Sequence, residues 1–216
     1  MGNQIMTDEN RKQYLLLAIL CLFLAFFDFL KSVSEFVFGM LIGLKCEISA
    51  MSLVPNIFTV STYISCVFGI IITFLTIKFF HRQYDFRKLD IWLYSIIVLN
   101  IINLGMTLSF DRLDFNINRT EQIISIISCL LAGFIVIMVG ISLNKIKARL
   151  YGYKSLLVYT SIIAGVFYII FCLVILGILV NFINNIAFGL MFWAASKGPD
   201  TLIEDNPPQV EAVTPQ

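Results

Sequence analysis

Residues 55–88, PNIFTVSTYISCVFGIIITFLTIKFFHRQYDFRK, combine a long apolar run with a basic, aromatic connector. No charged residue interrupts the run before Lys78. The run is therefore long enough to cross a bilayer, because a spanning helix takes about 20 apolar residues. The connector supplies the cations that mark one membrane surface. This stretch predicts a transmembrane helix that ends at an interface.

The connector pattern occurs twice, 67 residues apart, each time between two apolar runs. Both copies read K-x-x-x-R-x-Y-x-aromatic-basic-x-L: Lys78, Arg82, Tyr84, Phe86, Arg87 and Leu89, then Lys145, Arg149, Tyr151, Tyr153, Lys154 and Leu156. The offset indicates a duplicated helical hairpin, with units 55–110 and 122–177 related by an axis along the membrane normal. The other interpretation is that connectors on one side of a membrane acquire cations independently.

The composition is that of a membrane protein. Hydrophobic residues make up 59% and charged residues 13% of the chain, against about 45–50% and about 25% in soluble domains. The mean hydropathy is +0.89. A formal net charge of +1 provides no basic field that would predict a nucleic-acid partner. The expected partners are the lipid bilayer and either other membrane proteins or further copies of this chain.

The apolar runs predict six transmembrane helices, or five if the last and shortest one does not cross. They cover 14–44, 55–80, 89–110, 122–144, 155–180 and 182–196. The first run exceeds one span, so it either protrudes from the membrane or ends near Lys31 and re-enters. Asn181, Asn184 and Asn185 are interpreted as a polar break before the last run. The predicted fold is an all-α, polytopic membrane helix bundle.

The distribution of cations predicts the orientation of the bundle. With six crossings and a cytoplasmic N-terminus, the cytoplasmic side holds eleven Lys and Arg residues and the outer side four. This is the positive-inside pattern, so we expect an integral protein of the cell membrane with residues 1–13 in the cytoplasm. The bundle covers 14–196. The tail, 197–216, has too few apolar residues to fold alone, and we expect it to be disordered.

Asp28, Lys31 and Glu35 form a candidate intramembrane polar site in the first run. Spacings of three and four put them on one side of a helix. Charges at bilayer depth cost about 2.5–3.5 kcal/mol each and normally line a cavity or pathway. Counted from position 14, Asp28 lies about 21 Å deep, at 1.5 Å per residue. We therefore expect Asp28 within the apolar core, and Lys31 and Glu35 at the outer interface.

Amides and small residues complete the set of candidates. Asn100 and Asn103 share one face of the third span, where amides usually bond to a neighbouring helix. Small residues recur at every fourth position of the second span: Ser61, Ser65, Gly69 and Thr73. Gly39 and Gly43 form a G-x-x-x-G pair in the first run. Both small-residue patterns predict close helix packing.

No residue pattern predicts catalysis, a metal site or a bound cofactor. The single histidine, His81, lies in a connector, and the five cysteines lack metal-ligand spacing. The leading hypothesis is a non-enzymatic assembly, scaffolding or accessory subunit that acts through helix packing. The alternative is a small oligomeric transporter or channel, with Asp28, Asn100 and Asn103 lining its path.

Overall fold

The computed structural model describes residues 8–43, 53–109, 119–170 and 173–198. In this part of the chain it contains six α-helices and no β-strand. The helices are α1 (Asp8–Gly43), α2 (Leu53–Tyr84), α3 (Asp90–Ser109), α4 (Arg119–Asn144), α5 (Lys154–Ile169) and α6 (Val174–Lys197). A short 3₁₀ turn, Leu150–Gly152, lies between α4 and α5. The all-α prediction is confirmed for the described residues.

Four of these helices are long and apolar enough to cross a membrane. Their apolar parts are Asp8–Ser34, Thr59–Tyr84, Ile126–Asn144 and Ile175–Lys197, and shorter apolar helices cover Asp90–Met106 and Lys154–Ile169. Large apolar side chains cover their outer surface, and Leu16, Val98 and Tyr159 are each more than half exposed. Extensive apolar surface of this kind suits lipid contact. The helices are compatible with a multi-pass membrane protein.

The helices form a closed ring. Each packs against its neighbours in sequence, and α6 returns to pack against α1. The start of α1 meets the end of α2, because Arg82 Nη1 donates a hydrogen bond to Asn10 Oδ1. The two connectors also meet, because Gln83 Nε2 donates to the Tyr151 hydroxyl at 3.3 Å. We call this end of the ring, with its two connectors, the connector end.

A buried aromatic cluster fills the interior at the connector end; its members are Tyr14, Phe79, Phe80, Phe188 and Phe192. The Phe79 ring packs edge-on against the rings of Tyr14 and Phe192, with centroid distances of 5.1 and 4.9 Å. Such pairs contribute about 0.5–1.5 kcal/mol each beyond the burial of area. The aromatic cluster joins α1, α2 and α6 and closes the ring interior at this end.

A close approach of two backbones joins α4 to α5. A Cβ on Gly165 would lie 2.5 Å from the carbonyl oxygen of Gly133, and a Cβ on Gly133 would lie 2.8 Å from that of Gly165. Only glycine fits such a contact, and it lets the two helices pack directly against each other. Two turns along α4, a Cβ on Gly140 would lie 2.8 Å from the Ile162 side chain.

The polar break predicted at Asn181, Asn184 and Asn185 is wrong, because all three residues lie inside α6. The helix break comes earlier, where α5 ends at Ile169 and Ile170 leaves helical geometry with φ −84° and ψ 88°. The three amides all face the ring interior. Amides in that position find hydrogen-bond partners on neighbouring helices and do not interrupt their own helix.

The first apolar run forms one continuous helix. α1 has 36 residues and no interruption near Lys31, which excludes the re-entrant alternative. At 1.5 Å per residue it is about 54 Å long, well beyond a hydrocarbon core of about 30 Å. The length of α1 agrees with the other alternative, a helix that protrudes from the membrane.

The two connectors differ in local structure. α2 continues through Tyr84, whereas α4 ends at Asn144 and the second copy forms the 3₁₀ turn. Asp85 and Gly152, which are equivalent under the 67-residue shift, do share a positive φ, 47° and 87°. The break after α5 has no counterpart in the continuous α3. The fold does not confirm a duplicated hairpin.

Candidate functional site

A cavity of about 320 Å³ lies at the centre of the ring, and all six helices line it. Its polar lining comprises Asp28, Lys31 and Ser32 of α1, Ser65, Thr73 and Thr76 of α2, Asn100 and Asn103 of α3, Ser161 and Tyr168 of α5, and Asn181, Asn184 and Asn185 of α6. α4 contributes apolar side chains such as Val136. On α2 the lining runs from Ser65 to Thr76, about 16 Å along the ring axis by helical rise.

Asp28 is the acidic residue of this lining. Asn185 Nδ2, on α6, donates a hydrogen bond to Asp28 Oδ2 at 3.1 Å. Ser65, on α2, faces the same carboxyl group. The Ser65 hydroxyl is fully buried, yet it makes no hydrogen bond of acceptable geometry to any described residue. Three helices thus converge on one carboxyl group.

Asn185, Ser65 and Lys31 all act on the Asp28 carboxyl group. A charged Asp at the centre of a spanning helix costs about 2.5–3.5 kcal/mol. An interhelical hydrogen bond in a membrane contributes on average about 0.6 kcal/mol and at most about 2 kcal/mol. Lys31 lines the same cavity, but no ion pair joins it to Asp28 in the part of the chain that the structure describes.

Asn184 forms a second polar contact at the cavity wall. Ser161 Oγ, on α5, donates to Asn184 Oδ1 at 3.2 Å. Thr160 Oγ1 lies 2.7 Å from Asn184 Oδ1 and also 2.7 Å from the carbonyl oxygen of Leu156, and its single proton is donated to one of the two. Asn184 and Thr160 are almost fully buried, and buried amides require partners of this kind. This contact ties α5 to α6 and holds the α6 amides in place beside Asp28.

Other hydroxyls in the lining are satisfied within their own helix. Thr73 Oγ1 donates to the carbonyl oxygen of Gly69 at 2.6 Å, and Thr76 Oγ1 to that of Ile72 at 2.8 Å. Bonds to the carbonyl four residues earlier are the usual solution for such residues in a helix. Ser65 Oγ differs, since among the described residues it is the buried side-chain polar atom without a partner.

The structure brings four of the five predicted polar residues to this one cavity. Asp28, Lys31, Asn100 and Asn103 all line it. Lys31, which we expected at the outer interface, lies one turn from Asp28 on the same wall. Glu35 belongs to α1, and its side chain lies outside the described residues.

The small-residue stripe of α2 is buried along its whole length. Its members are Ser61, Ser65, Gly69 and Thr73. A Cβ on Gly69 would lie 3.1 Å from Asn100 Nδ2, so this glycine makes room for the amide side chain of α3. The packing around Gly39 and Gly43 lies outside the described residues.

The α6 amides are the residues that sequence reasoning missed. Their polarity suggested a break between helices, and so Asn184 and Asn185 were not considered as site residues. A signal was present, because the spacing of 181, 184 and 185 is the i, i+3, i+4 pattern of one helix face. That pattern indicates a polar face inside a helix.

Neither a metal site nor a similar protein assigns a function to the central cavity. Across residues 8–43, 53–109, 119–170 and 173–198, no group of three or more His, Cys, Asp or Glu is placed to bind a metal ion. His81, in the first connector, pairs with Asp90 at 2.7 Å.

Comparisons of the chain with protein-family models, curated proteins and solved structures find no match.

Proposed function

We propose that this protein is a non-enzymatic membrane carrier that binds a polar group at Asp28, Ser65 and Asn185 and moves it between the two membrane faces. The supporting observation is the central cavity, where the Asp28 carboxyl group of α1 meets Asn185 of α6 and the buried Ser65 hydroxyl of α2. Ionisable residues that face such cavities typically mark substrate or ion pathways. A volume of about 320 Å³ lies at the lower end of the range for ligand sites, about 300–1,000 Å³.

The accessory-subunit hypothesis has less support. It depended on small residues as a packing surface for partner helices. Ser61, Ser65 and Thr73 are only 2%, 5% and 8% exposed, so a partner protein could not reach them. A single chain also supplies the whole described lining of the cavity, so the site requires no second copy.

For the topology we propose six crossings with the connector end in the cytoplasm. The support is the concentration of Lys and Arg at the start of α1 and in both connectors, which the positive-inside rule favours. α3 has 20 residues and reaches about 30 Å, the thickness of the hydrocarbon core. α5 has 16 residues and reaches about 24 Å, so its crossing requires local thinning of the bilayer.

Duplication of a hairpin, 55–110 and 122–177, is a weaker proposal. In its favour, the two connectors share one end of the ring and a positive φ at Asp85 and Gly152. Against it, the break after α5 falls inside the second unit.

In this orientation the cavity is closed toward the cytoplasm. Phe188 belongs to both the aromatic cluster and the cavity lining, so the cluster forms the floor of the cavity. A carrier in this state would release its substrate to the cytoplasm only after α1, α2 and α6 separate at the connector end. Alternating access of this kind is common around binding sites at the bilayer midplane.

Cysteine labelling tests whether aqueous solutes reach the site. With the five native cysteines replaced, Ser65→Cys should react with a membrane-impermeant cationic methanethiosulfonate, because its thiol faces the polar cavity. Val67→Cys is the matched control, since Val67 lies at nearly the same depth of α2 but is 44% exposed on the outer surface. Labelling of Ser65→Cys no faster than that of Val67→Cys would contradict an accessible site.

A flux measurement tests transport itself. Proteoliposomes would report proton movement through entrapped pyranine and cation movement through radiolabelled ethanolamine. Asp28→Asn should slow the transported species about tenfold or more, the effect of losing a hydrogen bond to a charged group. Asp8→Asn, exposed at the start of α1, is the control. Wild-type vesicles no more permeable than protein-free ones to protons, ethanolamine and phospholipid would refute the carrier proposal.

A further inference from the structure

The seam between α3 and α4 is the loosest in the ring. Across the described residues, these two helices make the fewest contacts of any neighbouring pair. An apolar crevice of about 630 Å³ lies between them. Its walls include Val98, Ile102 and Leu131, each about half exposed on the outer surface, so the crevice opens toward lipid. The edge-to-face contact of Trp92 with Phe134, at 5.9 Å, bridges the seam.

Two side chains separate the crevice from the central cavity. Leu99 and Ile135 belong to the lining of both. Both are aliphatic and have no polar anchor, and they form the wall that the two spaces share. On α3 the neighbouring residues divide between the two sides, with Val98 and Ile102 in the crevice and Asn100 in the cavity.

We propose that the substrate of this carrier is a zwitterionic amphiphile of the phospholipid class. Its headgroup enters the central cavity through the α3–α4 seam, while its acyl chains stay in the crevice and the surrounding bilayer. This inference rests on the proposed carrier function and specifies the substrate of the same site.

The sizes and surfaces of the two spaces support an amphiphile. The central cavity, at about 320 Å³, is at the lower limit for drug-sized ligands, about 300–1,000 Å³. It accommodates a headgroup and not a whole lipid. The crevice is larger, apolar and open to the bilayer. A molecule that occupies both must be polar at one end and apolar at the other, which describes a lipid and excludes a water-soluble solute.

The charges in the cavity support a zwitterionic headgroup. Asp28 and Lys31 lie one helical turn apart on the same wall, and within the described residues they form no ion pair with each other. The ammonium of a phosphoethanolamine headgroup would bind Asp28, and its phosphate would bind Lys31, through charge-assisted hydrogen bonds. The Ser65 hydroxyl is the additional donor beside Asp28. A headgroup that carries both signs of charge offers a counter-charge to each of these two side chains.

A lipid-translocation assay tests the inference. Proteoliposomes would contain a trace of phosphatidylethanolamine that carries a nitrobenzoxadiazole fluorophore on an acyl chain, so that its ammonium stays free. Dithionite added outside bleaches only fluorophores in the outer leaflet, and the inner-leaflet signal persists in protein-free vesicles. The wild-type protein should bring the inner-leaflet lipid outward, so that most of the remaining signal is lost as well.

Substitutions in the seam and in the cavity test the route by which the lipid headgroup enters. Leu99→Trp should slow translocation about tenfold or more, because the indole overpacks the passage between crevice and cavity. Ile163→Trp is the matched control, since Ile163 is similarly apolar and 43% exposed on α5, away from the seam. Lys31→Gln and Asp28→Asn should each slow phosphatidylethanolamine. In the wild-type protein, phosphatidylglycerol with the same acyl label should move more slowly, because it lacks the ammonium.

The possible failures are distinguishable. Movement of ethanolamine or protons without movement of phosphatidylethanolamine would overturn this inference and leave the carrier function standing. Movement of none of the three would overturn both. Equal rates for Leu99→Trp and Ile163→Trp would reject the lateral route. If Leu99→Trp fails to fold, as judged by circular dichroism and gel filtration, Leu131→Trp blocks the crevice from its outer side and is held to the same criterion.

Discussion

The two flanks of α4 are built in opposite ways. Toward α5, Gly133 and Gly165 bring the backbones so close that a single Cβ would collide with a carbonyl oxygen. Toward α3, large aliphatic side chains meet and leave a crevice. In a bilayer the lipid is as apolar as leucine, so helices associate closely only where small residues let their backbones approach. The comparison teaches that a seam without glycines can stay partly open to lipid.

The largest loss of stability is expected at the glycine contact between α4 and α5. Gly165→Leu places its side chain against the Gly133 carbonyl and Ile137, at 2.5 and 2.6 Å for the Cβ alone. Because the backbone carbonyl cannot yield, we expect a loss of about 3 kcal/mol or more in the free energy of unfolding, the upper end for overpacking. Gly105→Leu is the control, since nothing lies within 4 Å of a Cβ there. Unfolding in detergent measures both, and equal losses would contradict the tight contact.

At the seam between α3 and α4, removal of a side chain should speed translocation. Leu99→Ala widens the passage between crevice and cavity, so we expect faster translocation of labelled phosphatidylethanolamine. The free energy of unfolding should fall by about 2 kcal/mol, the low end for Leu→Ala because the site is only part-buried. Leu179→Ala, 44% exposed on α6, should leave the translocation rate unchanged. A slower rate in Leu99→Ala would contradict the passage.

The seam between α3 and α4 leads to Asp28 in the central cavity. Substitution of Asp28 should change stability and transport in opposite directions. Asp28→Asn removes a charge and keeps the acceptor for Asn185, so we expect a gain of about 1–2 kcal/mol, part of the cost of a charge at this depth. Transport should fall at the same time. Thermal unfolding and proteoliposome flux are measured on one preparation. A loss of stability would mean that Asp28 has a structural role.

The smallest effect is expected for the polar contact between Thr160 of α5 and Asn184 of α6. Thr160→Val removes the hydroxyl that binds Asn184 and should lower the free energy of unfolding by about 1 kcal/mol, the size of an interhelical hydrogen bond in a membrane. Thr76→Val is the matched control, because both hydroxyls bond to the carbonyl oxygen four residues earlier in their own helix, and Thr160 has the contact with Asn184 in addition. A loss in Thr76→Val as large as that in Thr160→Val would show that the contact between α5 and α6 adds nothing.

The helices were largely predictable from the sequence, with one exception. Long apolar runs predicted α1 to α4 closely, because a bilayer-length run has few alternatives to a helix. The boundary between α5 and α6 was misplaced, because three asparagines looked like a break and the actual break at Ile170 carries no glycine or proline. Hydropathy averages residues over a window and cannot tell a polar face from a polar gap.

The candidate site was predicted in part. Asp28, Asn100 and Asn103 were recognisable because polar residues are rare and costly at membrane depth. The role of Ser65 was missed, because a serine in a small-residue stripe looks the same whether it packs against a backbone or faces a cavity. Among the described glycines, the closest approach to another backbone lies at Gly133 and Gly165, outside the small-residue stripe of α2. Which face of a spanning helix turns inward is decided by its neighbours.

Length and composition of the apolar runs, together with the placement of cations, were sufficient to predict the class of this protein, most of its helices and its grouped connectors. Those features depend on local physics: a run must satisfy its own backbone in lipid, and charges must stay near water. The closure of the ring was not readable, because helices in lipid have no hydrophobic signal for a particular partner. The bond between Asp28 and Asn185 joins residues 157 positions apart. Only packing of α6 against α1 creates it, and with it the cavity that supports the proposed function.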